Sequence, residues 1–426
     1  MKAVVLAAGE GTRLRPLTFT KPKPMLPIGG KPILEHVLYA LKEAGIKDIY
    51  IIVHYMAEKV KQYFGDGSKH ELKIEYLFQP EPRGTADALL VAEPHLNEDF
   101  MLVYGDLLVS SKAVQRLIQT FKRENPMAVM AVVPVENPEH YGVVGLQGNR
   151  VTKIVEKPSK GKAPSNLANA GIYVFTPEIF KEARKTKTST RGELELTDSI
   201  TMLAEQGKEV IAEKISREDW MDIGFPWSLL EANEWTLKKA ESKLNGTIES
   251  GATVIGPTII EENARIRAGT YIEGPVYIGE NSDIGPNCYL RPFTSIGKNV
   301  RIGNACEIKN SIIMNGTHIG HLSYVGDSII GENCNLGAGT ITANLRFDKK
   351  TVKMMIKGEK IDSGRKKLGV VLGDNVSTGI GAMFMPGVKI GNDCWIDAGA
   401  IIREDIPPKT FVKLRQSLES DNLRLG

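Results

Sequence analysis

A glycine-rich loop and a proline-flanked lysine near the start of the chain could bind and activate a phosphate group. The loop covers residues 6–13 and directly follows a strand-like apolar run. Gly9 and Gly11 let backbone amides approach phosphate oxygens, and the planar guanidinium of Arg13 can hold those oxygens as a fork. Lys23 stands between two prolines, which fix its ammonium group as a point charge. Together these residues indicate chemistry at a phosphorus atom.

Alternating strand-like and helix-like patterns must position these groups. Buried strands are predicted at residues 3–7, 49–53, 75–79, 101–104, 128–133 and 172–175. Helices are predicted at residues 33–44, 85–92, 113–122, 196–205 and 226–243. The alternation predicts a mostly parallel sheet covered by helices, which is an α/β, Rossmann-like domain. We assign this domain to residues 1–225 and a linker helix to residues 226–250.

A six-residue period replaces this alternation in the second half of the chain. Aliphatic residues recur at Val254, Ile260, Ile266, Ile272, Ile278, Ile284, Leu290, Ile296, Ile302 and Ile308, and the spacing returns after a break from Ile319 and from Phe384. This period fits neither a helix nor a lone strand, but it fits a solenoid whose flat sides are each one short strand. It predicts a repeat domain over residues 251–426, with a short C-terminal tail.

All four cysteines occupy one slot of this repeat, two residues before an aliphatic residue. They are Cys288, Cys306, Cys334 and Cys394. Because side chains two positions apart on a strand face the same way, the thiols are predicted to point into the solenoid as small core residues. They form no CxxC pair, so neither a zinc site nor a redox motif is indicated.

Length, charge and hydropathy limit the class of protein. With 426 residues, the chain is expected to form two or three domains. The formal net charge of +3 is small for this length, and no dense basic block predicts a nucleic-acid groove. The apolar stretches are too short to cross a bilayer, and the N-terminus lacks a signal-peptide layout. We therefore expect a cytoplasmic protein that binds neither nucleic acid nor membrane.

The motifs along the first domain resemble those of the sugar-1-phosphate nucleotidyltransferase family, which includes glucose-1-phosphate thymidylyl- and uridylyltransferases. The resemblance implies that Arg13 and Lys23 stabilise the transferring phosphate and the leaving pyrophosphate. It implies nucleotide contacts at Leu6, Ala8, Gly9, Gly11, Thr12, Arg13, Gln79, Gly84 and Thr85. It implies sugar and sugar-phosphate contacts at Tyr104, Gly142, Glu156, Lys157, Asn169 and Gly171.

The same resemblance assigns Asp106 and Asp222 as ligands of a Mg²⁺ ion. Asp106 follows an apolar strand, so it should lie at the carboxyl edge of the sheet, where open α/β folds bind ligands. Two aspartates offer the oxygen ligands that this cation takes. Since the attacked phosphorus is already surrounded by negative charge, positioning and charge neutralisation are nearly the whole catalytic task.

The repeat resembles the left-handed β-helix of hexapeptide transferases, which usually form trimers with active sites between neighbouring subunits. The run from Gly320 to Asp327 is similar to the acetyltransferase half of bacterial bifunctional N-acetylglucosamine-1-phosphate uridyltransferases. In that family the histidine is the general base, which implies this role for His321. The implied acceptor-binding residues are Arg291, Lys309, Tyr324, Asn335 and Asn344, and the implied acetyl-CoA contact is Ala338.

These residue types suit acetyl transfer. Histidine can take a proton from a sugar amine as the nitrogen attacks a thioester. Arg291 and Lys309 can hold a dianionic phosphate and orient the amine. The alternative is that His321 is an ordinary surface histidine at a solenoid corner, as His318 shows that such residues occur here.

Two departures from the family pattern leave questions open. The solenoid register is lost between residues 341 and 368, where a basic segment at residues 346–367 either binds a phosphate or coenzyme A or is a solvated loop. Asp222 follows the thymidylyltransferase pattern, whereas the bacterial bifunctional enzymes carry asparagine there. Both UTP and dTTP therefore stay open as substrates, and so do the glucose, N-acetylglucosamine and galactosamine series.

These observations predict a bifunctional enzyme. The repeat domain would acetylate glucosamine-1-phosphate, or another amino-sugar-1-phosphate, with acetyl-CoA. The first domain would couple N-acetylglucosamine-1-phosphate or glucose-1-phosphate to UTP or dTTP and release pyrophosphate. The expected assembly is a homotrimer or a dimer of trimers. Two alternatives remain: a nucleotidyltransferase whose solenoid only drives trimer formation, and an inactive relative that serves as a regulatory subunit.

Overall fold

The computed structural model describes residues 1–189 and 191–420. Residues 421–426 of the predicted tail therefore lie outside the described residues. Contacts divide the chain into two compact units. The first unit comprises Met1–Gly11, Lys21–Leu26 and Lys31–Gly224, and the second comprises Thr12–Thr20, Pro27–Gly30 and the chain from Phe225 onward.

A mixed sheet forms the centre of the first unit. Its order in the described residues is Lys73–Phe78, Asp48–Val53, Lys2–Leu6, Phe100–Tyr104, Leu167–Phe175, Ala128–Pro134, Val210–Lys214, Arg150–Glu156 and Gly142–Gln147. Leu167–Phe175 runs antiparallel to both of its neighbours, and Arg150–Glu156 does the same. The remaining strands point one way, which confirms a mostly parallel sheet.

Helices cover both faces of this sheet. They are Ile33–Glu43, Ala57–Phe64, Thr85–Val91, Ser111–Glu124, Ile179–Ala183 and Leu196–Glu205. Successive strand residues face opposite sides, so Val5 and Val103 belong to one buried cluster while Val4 and Leu102 belong to another. Among the described helices, none has the length and apolar character needed to cross a membrane.

Three stacks of short parallel strands in residues 243–412 build the left-handed β-helix of the second unit. The first stack is Lys243–Leu244, Thr258–Ile260, Val276–Ile278, Thr294–Ile296, Ile312–Ile313, Ile329–Ile330, Val371–Leu372 and Lys389–Ile390. The second is Thr247–Ile248, Arg265–Ile266, Asp283–Ile284, Arg301–Asn304, His318–His321, Asn335–Leu336, Ser377–Thr378, Trp395–Ile396 and Phe411–Val412. The third is Thr253–Ile255, Tyr271–Glu273, Tyr289–Leu290, Glu307–Lys309, Tyr324–Gly326, Ile341–Thr342, Met383–Phe384 and Ile401–Ile402.

The break in the six-residue period has a local cause. Ile278 pairs with Ile296, eighteen residues on, whereas Ile296 pairs with Ile313, only seventeen residues on. The corner after Ile308 is one residue shorter than its predecessor, and Asn310 turns it in the left-handed region with φ of 44°. Asp327 turns the same corner one coil later with φ of 49°. Asparagine and aspartate tolerate this conformation better than most residues.

The helix that opens the second unit is shorter than expected. It spans Pro226–Leu237 and has proline in its first turn, where a missing amide proton has no cost. The predicted helix to residue 243 is wrong at its end, because Lys243–Leu244 already pairs with Ile259 and Ile260 as a solenoid strand.

The cysteines lie in the solenoid core, as their spacing predicts. All four side chains are buried. They belong to one continuous buried cluster with aliphatic residues of the solenoid strands. Burial raises the pKa of Cys288 to about 11 and also raises the pKa values of Cys306 and Cys394. Thiolate formation, which reactivity requires, is therefore suppressed in the folded chain.

We expect the native protein to react slowly with thiol reagents. Titration with a chromogenic disulfide reagent at mildly alkaline pH should modify almost no thiol in the folded chain, because all four sulfurs are inaccessible and burial raises the pKa of Cys288, Cys306 and Cys394. The same titration in guanidinium should report all four cysteines. Fast modification of a native thiol would contradict the core assignment.

Candidate active sites

The first candidate site lies in the first unit, at the carboxyl ends of Lys2–Leu6 and Phe100–Tyr104. The amide of Gly105 donates to the carbonyl of Leu6 at 2.8 Å, so the segments that follow the two strands are adjacent. Lys23 begins a short 3₁₀ turn with its side chain 11% exposed. Its Nζ lies 2.6 Å from Oδ2 of Asp106. The structure thus brings together the predicted lysine and one predicted metal ligand.

Strand pairing brings the second predicted metal ligand to the same place. Trp220–Asp222 runs antiparallel to Leu107–Val109, and Asp222 stands opposite Leu107. Asp106 and Asp222 therefore occupy neighbouring backbone positions although they are far apart in sequence. In the described residues, no group of three or more acidic, histidine or cysteine side chains could hold a metal. Two carboxylates nevertheless suit Mg²⁺, which keeps waters and takes phosphate oxygens as further ligands.

The glycine-rich loop retains open space above its backbone. A Cβ placed on Gly9 would meet no atom within 4 Å, so protein packing does not require glycine there. Close approach of a ligand to the backbone would require it. Gly11 has φ of 67°, a conformation that favours glycine. Leu6 ends the first strand, and Ala8 is buried within the loop.

The predicted base-contacting segment is held by a buried network. Gln79 is almost fully buried, and its Nε2 donates to Oδ2 of Asp87 at 2.7 Å. Arg83 holds the other oxygen of Asp87 at 2.6 Å. A Cβ on Gly84 would lie 2.4 Å from the Leu194 carbonyl oxygen, so glycine is needed for this close approach. The motif identified Gln79 and Gly84 but not Asp87, which orients the amide of Gln79.

Thr85 connects this segment to a helix of the same unit. Its Oγ1 accepts a hydrogen bond from the amide of Leu196 at 2.9 Å. That amide belongs to the first turn of Leu196–Glu205, where amides lack helical partners.

The predicted sugar contacts Gly142 and Glu156 stand opposite each other on paired strands. A Cβ on Gly142 would lie 2.6 Å from Oε1 of Glu156, so glycine leaves room for this carboxylate. Thr197 donates to the same oxygen at 3.1 Å. Burial raises the pKa of Glu156 above its usual value, although Thr197 and Arg191 act in the opposite direction. Arg191 lies 3.8 Å from Glu156 and was not predicted from sequence.

An aromatic pair supports the other predicted sugar contacts. The hydroxyl of Tyr173 donates to Oδ1 of Asn169 at 2.8 Å, and the amide of Gly171 donates to the same oxygen. A Cβ on Gly171 would lie 2.7 Å from the ring of Tyr104. Burial raises the pKa of Tyr104, so its hydroxyl stays protonated at neutral pH. Lys157 follows Glu156 with φ of 43°.

The remaining predicted nucleotide residues belong to the second unit. Thr12 and Arg13 lie in a short 3₁₀ turn, Thr12–Leu14, within the segment that groups with the second unit by contact. The guanidinium carbon of Arg13 is 5.5 Å from the ring centroid of Phe225. The sequence did not predict this grouping, because Arg13 stands only two positions after Gly11, which belongs to the first unit.

The second candidate site lies on the outer surface of the third strand stack. Arg291 follows Tyr289–Leu290 and Lys309 ends Glu307–Lys309, one coil further on. Nη1 of Arg291 donates to Oε1 of Glu307 at 2.9 Å. Its buried Nε has no hydrogen-bond partner in the described residues. A buried donor without a partner is costly, and an anionic ligand would satisfy it.

Predicted acceptor-binding residues converge here on the carboxylate of Asp327, to which the family resemblance assigns no role. Oδ2 of Asp327 accepts from Nζ of Lys309 at 2.8 Å and from Nδ2 of Asn344 at 2.6 Å. Oδ1 accepts from Nδ2 of Asn310 at 2.9 Å. Asn344 also donates to the hydroxyl of Tyr324 at 3.0 Å. Asp327 belongs to the same sequence motif as His321 and lies three residues after Tyr324.

His321 and Asn335 belong to the second strand stack, and Ala338 lies in the turn between that stack and the third. His321 ends the strand His318–His321 and is exposed. Its carbonyl accepts from the hydroxyl of Ser323 and from the amide of Gly339. Asn335 pairs with His318 on the next coil and is exposed. The Ala338 carbonyl accepts from the amide of Gly381 at 2.8 Å, which fixes this turn.

Comparison with known proteins assigns the chain to a family. A nucleotidyl transferase family model matches residues 2–239. Bifunctional protein GlmU of Methanocaldococcus jannaschii is 48% identical over 419 residues, which cover 98% of this chain and 98% of that protein. The chain belongs to the bifunctional GlmU family.

Further comparisons agree with membership of the GlmU family. A bifunctional sugar-1-phosphate nucleotidylyltransferase/acetyltransferase of Sulfurisphaera tokodaii is 45% identical and covers 97% of this chain and 100% of its own length. A crystal structure of UDP-glucose pyrophosphorylase with UDP-glucose matches with a TM-score of 0.51 and 28% identity, over 56% of this chain and 98% of that chain. Within the solenoid, a GMPPB C-terminal domain model matches residues 272–381, and a hexapeptide repeat model of succinyl-transferase matches residues 369–404.

The basic insertion of this GlmU family member is partly structured. It contains a hairpin of Lys353–Ile356 and Glu359–Asp362, in which Met354 is buried. Arg365 points inward with its side chain 17% exposed, and its Nη2 lies 3.1 Å from Oε1 of Glu234. The insertion is therefore more than a solvated loop, and Arg365 is a structural anchor that its basic character did not reveal.

Proposed function

We propose that this protein is a bifunctional enzyme of amino-sugar activation. It acetylates glucosamine-1-phosphate with acetyl-CoA, and it transfers a uridylyl or thymidylyl group from UTP or dTTP to a sugar-1-phosphate. N-acetylglucosamine-1-phosphate and glucose-1-phosphate are the proposed sugars. One observation carries the proposal: both clusters of side chains occur in a chain that is similar to bifunctional GlmU proteins over 98% of its length.

In the proposed nucleotidyl transfer, an oxygen of the sugar phosphate attacks the α-phosphorus of the triphosphate and the bond to pyrophosphate breaks. The Lys23 ammonium and the Arg13 guanidinium neutralise charge on the transferring and leaving phosphates. Asp106 and Asp222 would hold Mg²⁺, which supplies further neutralisation of phosphate charge when bound. Gln79 contacts the base of the nucleotide, and Gly84 and Thr85 of the same segment help to position that base.

The sugar is bound by the second part of the same proposed site. Glu156 accepts a hydrogen bond from a sugar hydroxyl, and the lysine beside it, Lys157, contacts the sugar phosphate. Gly142, Asn169 and Tyr104 shape the surface on which the ring rests. The network of Thr197 and Arg191 around Glu156 supports this assignment, because it holds the carboxylate in one orientation.

In the proposed acetyl transfer, the imidazole of His321 takes a proton from the sugar amine as the amine nitrogen attacks the thioester carbon. The new C–N bond forms, the C–S bond breaks, and coenzyme A leaves as a thiolate that takes up the proton from the imidazolium, which regenerates the base. Arg291 and Lys309 hold the sugar phosphate, while Tyr324, Asn335 and Asn344 contact the sugar. Ala338 contacts acetyl-CoA. The Nε of Arg291, which has no hydrogen-bond partner among the residues that the structure describes, supports the phosphate assignment.

We also propose that the chain assembles as a homotrimer or a dimer of trimers. Large apolar side chains lie exposed on the last coils of the solenoid, among them Trp395, Ile380 and Ile401. Exposed apolar side chains in this number are typical of surfaces that become buried in an assembly. Light scattering coupled to gel filtration tests the mass of the assembly, and a monomer would contradict the proposal.

Two assays on one preparation test the proposed activities. Release of free thiol from acetyl-CoA is measured with glucosamine-1-phosphate, and release of pyrophosphate is measured with each pairing of UTP or dTTP and the two sugar phosphates, with Mg²⁺ or with chelator. We expect acceptor-dependent thiol release and metal-dependent pyrophosphate release. Release of pyrophosphate without release of thiol would indicate a nucleotidyltransferase only. Release of neither product would indicate an inactive relative.

Substitution of Gly142 by alanine should weaken sugar binding in the nucleotidyl transfer. The added Cβ would lie 2.6 Å from Oε1 of Glu156 and must displace that carboxylate. We expect the KM for the sugar-1-phosphate to rise about tenfold, which corresponds to loss of a hydrogen bond to a charged group. The KM for the nucleotide and the rate of acetyl transfer should stay near wild type. An unchanged KM for the sugar-1-phosphate would argue against this sugar site.

A further inference from the structure

We propose that Asp327 positions the acceptor-binding side chains of the acetyltransferase site, an inference that rests on the proposed acetyl transfer. Asp327 is 2% exposed, and it lies at one of the shortened corners of the solenoid. Lys309 and Asn344 both donate to its Oδ2, at 2.8 and 2.6 Å. Two residues assigned to acceptor binding are thus held by one carboxylate.

The carboxylate decides the orientation of the Asn344 amide. An ionised carboxylate only accepts hydrogen bonds, so the amide atom facing Asp327 must be the nitrogen. That nitrogen also lies 3.0 Å from the hydroxyl of Tyr324, which must accept from it. The Tyr324 proton and Oδ1 of Asn344 are then left to bind a ligand. Asp327 therefore sets which atoms donate to the sugar and which accept from it.

The same carboxylate fixes the position of the Lys309 ammonium. This group has three donor hydrogens, and Asp327 accepts one of them. The other two become available to a phosphate at a fixed place. Because the Lys309 side chain is only 17% exposed, it has little freedom to adopt another position.

Residues of the helix Pro226–Leu237 and of the basic insertion hold the carboxylate of Asp327 in place. Asn310 donates to Asp327 at 2.9 Å and to Glu234 at 3.1 Å. Arg365 lies 3.1 Å from Glu234 and 3.9 Å from Asp327. The insertion therefore contributes a cation to the network behind the site, which offsets the charge of two carboxylates that are largely removed from water.

Steady-state kinetics of acetyl transfer with Asp327→Asn test the inference. The substitution keeps the shape of the side chain but removes the charge that orders Lys309 and Asn344. We expect the KM for glucosamine-1-phosphate to rise about tenfold or more, because hydrogen bonds to charged groups are lost. We expect kcat and the KM for acetyl-CoA to change by less than about threefold, since neither the base nor the thioester contact is altered.

Asp374→Asn is the matched control. Asp374 is another buried aspartate of the solenoid, and it accepts from Thr20 and from the amide of Glu332. We expect its substitution to leave the KM for glucosamine-1-phosphate unchanged. Nucleotidyl transfer, measured in every preparation, reports on folding of the rest of the chain.

A double-mutant cycle with Lys309→Met distinguishes positioning from a purely structural role. If Asp327 acts partly through Lys309, the combined rise in KM will be smaller than the product of the single effects. The double variant also removes both charges of the buried pair, so it stays informative if Asp327→Asn alone does not fold. Its KM should then still exceed that of Lys309→Met, because Asn344 has lost its fixed orientation.

Distinct outcomes overturn distinct claims. If the wild type is active and Asp327→Asn keeps the wild-type KM for glucosamine-1-phosphate, the positioning role alone is overturned. The same follows if the rises in KM of the two single variants multiply in the double variant. A wild type that releases no coenzyme A would overturn the proposed acetyl transfer and the inference with it.

Discussion

Lys23→Met should lower kcat for nucleotidyl transfer by about a hundred- to a thousandfold, the usual effect of removing one preorganised donor to a transition state. Nζ of Lys23 lies 2.6 Å from Asp106 and the side chain is 11% exposed, so the ammonium is held at the edge of the sheet. Methionine keeps the apolar stem but carries no charge. Charge neutralisation is most of the task in phosphoryl transfer, so its loss affects the rate directly.

Pyrophosphate release at saturating triphosphate and sugar-1-phosphate measures this effect. Lys31→Met is the matched control, because Lys31 is 58% exposed and its 2.9 Å ion pair with Glu35 is of the surface kind that contributes little to stability. We expect this control to keep wild-type activity. Acetyl transfer should also be unchanged in both variants. A Lys23→Met enzyme within about threefold of the wild-type kcat would exclude Lys23 as a transition-state contact.

His321→Ala should lower kcat for acetyl transfer by about a hundred- to ten-thousandfold, the range for loss of a general base. The residue ends a strand at a corner of the solenoid, and its side chain is exposed. Its backbone is held by Ser323 and Gly339, so alanine should not disturb the local fold. Pyrophosphate release should therefore remain at the wild-type level.

His318→Ala separates this role from that of an ordinary surface histidine. His318 begins the same strand and pairs in register with Arg301 and Asn335. We expect thiol release to stay within about threefold of wild type in this control. Free imidazole added to His321→Ala should restore part of the rate, because the exposed corner can admit it. Equal effects of the two substitutions would contradict the assignment of the base.

The sequence predicted most of the solenoid and its core because most coils are local. The six-residue spacing recurs along most of the strands, and the partner of an inward residue on the next coil is then seventeen or eighteen residues away. Across the insertion, by contrast, Ile330 pairs with Leu372, forty-two residues on. Burial of Cys288 and of the other three cysteines follows from the same spacing. The mostly parallel sheet of the first unit was also predicted, because buried strands and helices alternate visibly along the chain.

Contacts between distant segments could not be predicted in this way. Asp222 reaches the neighbourhood of Asp106 only through pairing of two short strands, and Arg365 meets Glu234 across 131 residues of chain. The helix from Pro226 ends at Leu237 because strand pairing with the next coil competes with helix formation. None of these pairings has a local pattern, since each depends on the path of the intervening chain.

The sequence alone thus determined the fold classes and the residue types that we propose to bind phosphate and to move a proton, since these depend on local periodicity and on side-chain chemistry. The tertiary structure decided which carboxylate orders Lys309 and Asn344, and that the insertion supplies Arg365 behind them. Those choices depend on a corner shortened by one residue and on side chains from three separate segments. A buried carboxylate gains its role from the donors around it, and only the folded chain brings those donors together.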